Sequence, residues 1–196
     1  MYKPNREIFP DKVEGGAEIQ AGICRIDRDF FLADAVTVAK RLPGMEIIIG
    51  AGEKSGRYMI TETEAYLGDG DRACHASKGR TARTEPMFLE GGHLYIYFVY
   101  GMHWMLNIVT GPAESPQAVL IRGVEQFSGP GRVTKGIGID SSFNREDLVS
   151  SPRIWIEDSG YSPDLVAGPR VGINYAGEPW ISKPWRFIVR NQNERK

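Results

Sequence analysis

The chain has 196 residues, 41% hydrophobic and 25% charged, with a formal net charge of −1. That is the makeup of one globular domain able to bury its own core, and the near-zero charge counts against a protein held to nucleic acid by bulk electrostatics. Two cysteines, Cys24 and Cys74, exclude a disulfide framework and form no C-x-x-C pair, so free thiols in a reducing cytoplasm are expected and a zinc knuckle is not.

The N-terminal M-Y-K-P-N-R-E-I-F-P has no long apolar run, so no secretory signal is expected. No stretch approaches the roughly 20 apolar residues that span a bilayer. Residues 1–28 read as a partly ordered lead-in. Asp27 or Asp29 is positioned to cap a helix through about Leu42, with Phe30, Phe31, Ala33, Val36, Val38, Ala39 and Leu42 on its apolar face and Pro43-Gly44 as its stop. Glu46–Ile49 and Arg57–Glu64 read as strands around an E-K-S-G turn. Ala65 to Glu85 is polar and irregular, the kind of long loop that often carries function.

His93–Phe98 and Trp104–Val109 form the clearest strand pair, an antiparallel hairpin with Tyr100 and Met102 near its tip and Gly101 free to take a positive φ. Ala118–Val124 reads as a buried strand. The glycine-rich stretch 129–139 lacks the G-K-[ST] ending of a phosphate loop and is expected to open a short helix. Arg153–Glu157 and Arg186–Val189 are late strands. No repeat or domain boundary interrupts the chain.

Glu62, Glu64 and Tyr66 alternate along one strand and share a face. Paired glutamates at a strand end usually form a solvated edge; beside Tyr66 and His75 they also suit water activation, which needs an ionised carboxylate within reach of the water. Apolar walls raise a carboxyl pKa toward working pH. Tyr95 and Tyr97 share a parity, and such stripes more often belong to a core than to a ligand platform. Tyr100 at the hairpin tip differs, because exposed aromatics and methionines serve as wedges between base pairs. Arg122 in a buried strand needs a partner, which Glu64 would supply. Arg72, Lys78, Arg80 and Arg83, with Arg170, Lys183, Arg186 and Arg190, are candidates for a local basic face; charge counts favour scattered surface instead.

The blocks E-T-E-A-Y-L-G…H, M-F, L-Y-I-Y-F-V-Y-G-M…L-N, V-L-I-R-G-V-E and R-V-G-I-N-Y-A-G…K-P-W-R-F follow one another from about Phe31 to Arg190. Together they resemble the alkyladenine (methylpurine) DNA glycosylase family. The resemblance implies an α+β fold: one mixed domain with a curved, mainly antiparallel sheet or open barrel, surrounding helices and a projecting hairpin. It implies extrusion of a damaged purine from duplex DNA and hydrolysis of its bond to deoxyribose.

On that resemblance Glu64 is the general base, Arg122 its partner, and the Val171 carbonyl a third water ligand. Tyr66, His75 and Tyr97 stack on the base, the backbone near Ala73 and His75 touches its edge, and Asn107 disfavours the amino group of guanine. Tyr100 fills the gap in the duplex with Met102 beside it, and Arg80 contacts a phosphate. Glu62 receives no role, and His103 stands where the family often has another aromatic. No lysine lies in the blocks ahead of K-P-W-R-F to offer a Schiff base, so the expected product is an abasic site without strand cleavage. The expected protein is a cytoplasmic monomer acting near the chromosome, without metal or cofactor. Two other readings compete. A non-catalytic nucleic-acid binder would not need the Glu64/Arg122 pair, and a nucleoside hydrolase would not need Tyr100-Gly101-Met102.

Overall fold

Strands dominate wherever apolar and polar residues alternate, and short helices fill the connections. The structure is a computed structural model that describes residues 24–190 apart from Ala51 and Asp69. Most of the expected lead-in, residues 1–23, lies outside the described residues; its last part is ordered as β1 (Cys24–Arg25).

The helix expected through Leu42 is two helices, α1 (Arg28–Phe31) and α2 (Ala35–Arg41). Two aspartates divide it. Asp27 accepts the Phe30 N–H, and Asp34 accepts those of Val36 and Thr37, so each begins its own helix. The strands that follow are β2 (Glu46–Ile49), β3 (Gly56–Leu67), β4 (Leu94–Val99), β5 (His103–Val109) and β6 (Gln117–Val124). The two-residue β7 (Phe127–Ser128) leads into α3 (Pro130–Ile137), and β8 (Ile154–Asp158), β9 (Leu165–Gly168) and β10 (Arg186–Val189) complete the fold. Strands β1 and β7 are too short to show a period, and the L-V-A-G of β9 ends in weak strand formers; pattern reading missed all three.

The sheet runs β1-β8-β2-β3-β6-β5-β4 and stays open, with β10 joining β3 to β9, and β7 at the side of β6. Every strand pair among the described residues is antiparallel. This is the expected α+β architecture with a mainly antiparallel open sheet. Strand β3 outlasts the expected Glu64 terminus because Ala65, Tyr66 and Leu67 stay paired with Val119, Ala118 and Gln117 of β6; β10 takes the other edge at Glu62, Thr63 and Glu64.

Registers give the sheet two distinct faces. Arg186, Glu64, Leu120, Asn107 and Tyr95 are cross-strand neighbours in one row across five strands. Side chains opposite one another in a ladder share a face, and so do those two residues along a strand. Tyr66, Ala118, Arg122, Met105 and Tyr97 therefore extend the face that carries Glu64. The alternate residues Ala65, Val119, Ile121, Ile108, Leu106, Ile96 and Leu94 point the other way. They pack with Phe31, Val38 and Ala39 beside α2 and with Val133 and Ile137 of α3 in the main core. One face of the sheet is thus core and the other is free to build a site.

Candidate active site

The free face is the floor of a cleft of about 360 Å³, within the ~300–1,000 Å³ span of small-molecule sites. Tyr95, Tyr97, Met105, Asn107, Leu120 and Arg122 rise from the sheet; Ala73, His75, Val171 and Tyr175 come from loops laid over it. Tyr66 and Tyr100 complete the lining. The structure therefore brings together Tyr66, Ala73, His75, Tyr97, Tyr100, Asn107, Arg122 and Val171 as expected, while Glu64 lies one side chain deeper.

Glu64 is fully buried. Its Oε1 accepts the Val171 N–H at 2.7 Å and faces Arg122 Nε at 3.4 Å; its Oε2 accepts the Tyr66 hydroxyl at 2.8 Å. All three partners line the cleft. Ionised carboxylates offer about four acceptor positions, so one more donor fits. Burial pushes the Glu64 pKa up; Arg122, the Val171 N–H and the Tyr66 hydroxyl pull it back, and Glu62 adds a smaller upward push. Arg122 leans closer to Glu62, at 3.0 Å, and Arg186 reaches the same Glu62 oxygen at 3.3 Å. The expected Glu64–Arg122 pair is therefore a four-membered network in which Glu62 holds both arginines.

The tyrosine walls stay protonated. Burial raises the pKa of Tyr66 and Tyr97 strongly and that of Tyr95 to about 12. The Tyr95 hydroxyl and His75 Nδ1 are 3.0 Å apart, and the His75 ring meets Tyr97 edge-on at 4.6 Å. His75 keeps an exposed outer edge, yet burial of its ring, helped by Arg83, lowers its pKa and favours the neutral imidazole. Asn107 donates to the Tyr95 and Met105 carbonyls, which fixes its amide at the cleft floor.

Sequence reading missed the support beneath these walls. Arg170 and Asp71 form an ion pair buried completely on both sides, with contacts of 2.6 and 2.9 Å. Arg170 also donates to the Ala65 carbonyl, and its guanidinium stacks on Tyr66 and Trp185 at 4.7 and 4.9 Å. Asp71 accepts the N–H groups of Leu67 and Ala73. The pair ties the Ala73 loop to the segment that presents Val171. Nothing in local spacing announces a pair 99 residues apart. Tyr175 was missed as well; its hydroxyl donates to the Ala73 carbonyl at 3.1 Å.

Two expected residues sit at the hairpin tip, where Tyr100 is 89% and Met102 67% exposed. Arg80 lies outside the cleft lining. It is held by Glu114, stands 3.7 Å from Glu85 and stacks on Phe88. His103 opens β5 opposite Val99, just below the tip, and its ring packs against Gly131 of α3.

The family profile described as Methylpurine-DNA glycosylase matches residues 29–128 and 125–193. A Borrelia garinii subsp. bavariensis protein named "Putative 3-methyladenine DNA glycosylase" is 42% identical over 179 residues, covering 85% of this chain and 96% of its own length. Proteins of the same name from Methanocella arvoryzae and Rickettsia felis are 38% and 37% identical, covering 85% and 84% of this chain and 92% of each relative. With most of its length matched by that profile and by such relatives, the chain belongs to the methylpurine-DNA glycosylase family.

Proposed function

We propose that this glycosylase removes alkylated purines, 3-methyladenine and 7-methylguanine, from duplex DNA by direct hydrolysis. The observation that carries the reading is a buried carboxylate under an aromatic cleft, with Arg122, Tyr66 and the Val171 N–H holding it in place. The damaged nucleotide swings out of the helix, and its base stacks among Tyr66, His75 and Tyr97 with Asn107 below. Tyr100, backed by Met102, fills the vacated space. The backbone at Ala73 and His75 meets the base edge.

Glu64 accepts a proton from water as the water oxygen bonds to C1′ of the sugar. The bond from C1′ to the base nitrogen breaks, and its electron pair leaves with the base. A purine alkylated on the ring is cationic and departs neutral, so it needs no proton at that nitrogen. The sugar passes through an oxocarbenium-like state that the Glu64 charge also stabilises. The Val171 carbonyl is the further acceptor proposed for the water. The protein acts as a monomer and leaves an abasic site.

Glu64→Gln tests the assignment. On a duplex with a single alkylated adenine, the wild-type chain releases free base, whereas the variant still binds and releases none. Unchanged release by Glu64→Gln would remove Glu64 from the chemistry.

A further inference from the structure

Beside the cleft lies a second groove, lined by Arg72, Lys78, Tyr175, Glu178 and Trp180 among others. Tyr175 belongs to both cavities, so the two share a wall. Arg72 and Lys78 also bracket Ala73–His75, the loop that closes one side of the cleft. A nucleotide whose base enters the cleft leaves its phosphates outside, at this rim.

Most other arginines near the cleft are already engaged. Arg80 is held by Glu114 and Glu85, Arg122 by Glu62 and Glu64, Arg170 by Asp71, and Arg186 by Glu62. Arg83 lies over the Tyr97 ring. An arginine in such a pair must give up a carboxylate to gain a phosphate. Arg72 and Lys78 are exposed and have no ion pair among the described residues, so each gains the full benefit of releasing a counterion from DNA. Lys183 adds a third cation, stacked on Trp180 at 4.3 Å. Among the described residues that line the groove the one acid, Glu178, accepts the Ser182 hydroxyl. Arg132 and Lys135 on α3 are exposed too, but they line neither cavity.

We infer that the Arg72–Lys78–Trp180 groove seats the sugar–phosphate backbone flanking the extruded nucleotide. The inference rests on the glycosylase reading. It also explains how a chain of net charge −1 holds a polyanion: a few local cations meet it, and Arg72 and Lys78 have no ion pair among the described residues.

Salt titration of binding tests it, using a duplex that carries a stable abasic-site analogue. For Arg72→Ala/Lys78→Ala, the slope of log affinity against log salt becomes less negative by about 2, near 0.9 per lost phosphate contact. Low-salt affinity drops at least tenfold. The charge-matched Arg132→Ala/Lys135→Ala keeps the wild-type slope, so a loss there equal to that of the groove variant would mean bulk charge and overturn the site. An unchanged slope in Arg72→Ala/Lys78→Ala would overturn it directly. A wild-type chain that releases no base yet shows the groove-dependent slope would sink the glycosylase reading and leave the groove standing. Matching thermal melts show that these exposed substitutions leave the fold intact.

Discussion

At the scale of single residues, Glu64 sets the pH behaviour. Its burial favours the protonated form, and only the ionised form accepts a proton from water. Release therefore declines as pH falls through a pKa that lies above the range of an exposed glutamate. Tyr66→Phe deletes a hydrogen bond that favours the charge, so the acidic limb of the single-turnover rate moves to still higher pH; a limb that stayed put would show that the hydroxyl does not tune Glu64. The linkage to stability has the opposite sense. Between the ordinary glutamate range and the raised pKa, the folded chain binds more protons than the unfolded one, so this group's contribution to stability grows as pH falls. Asp71→Asn leaves Arg170 buried without its carboxylate, and urea titration should register a loss of about 3–5 kcal/mol. Adding Arg170→Met recovers part of that loss, because the stranded charge is gone.

At the scale of elements, the β4–β5 hairpin separates DNA engagement from chemistry. Tyr100 has a φ of 52° and Gly101 of 64°, so a tyrosine occupies backbone space that suits glycine. Tyr100→Gly should keep or raise the melting temperature while slowing release from duplex DNA, with single-stranded substrate spared. Equal loss on both substrates would refute the wedge. Just below its tip the hairpin rests on α3, where a Cβ on Gly131 would stand 2.7 Å from the His103 ring. Gly131→Ala should therefore destabilise by about 1–3 kcal/mol, read from chemical denaturation, and His103→Ala should suppress the effect. The hairpin and β10 were legible because alternating β-formers and a Gly turn are local signals. The break between α1 and α2 was not, since Asp34 is polar on either reading and only its hydrogen bonds show which amides it caps.

At the scale of the whole molecule, alternation along β3 placed Glu62, Glu64 and Tyr66 together, but it could not say which residues of β5 and β6 lay opposite. Register supplies that. The row through Glu64, Leu120 and Asn107 exists only once three strands are aligned, and only the resemblance put Asn107 on the cleft floor beforehand. The Asp71–Arg170 support was illegible for a related reason: chain separation hides it, and a charged residue in a polar loop looks solvated until it is found at zero exposure.

The position of β3 has a consequence for how the protein fails. Thr63 and Glu64 have strands on both edges and a packed core behind, so their amides should be among the slowest to exchange with deuterated solvent. The hairpin tip has no such neighbours and should exchange early. Mild heat or denaturant would then loosen the grip on the helix while the acid and its donors remain assembled, and an enzyme damaged in this way would regain activity on cooling without refolding its centre.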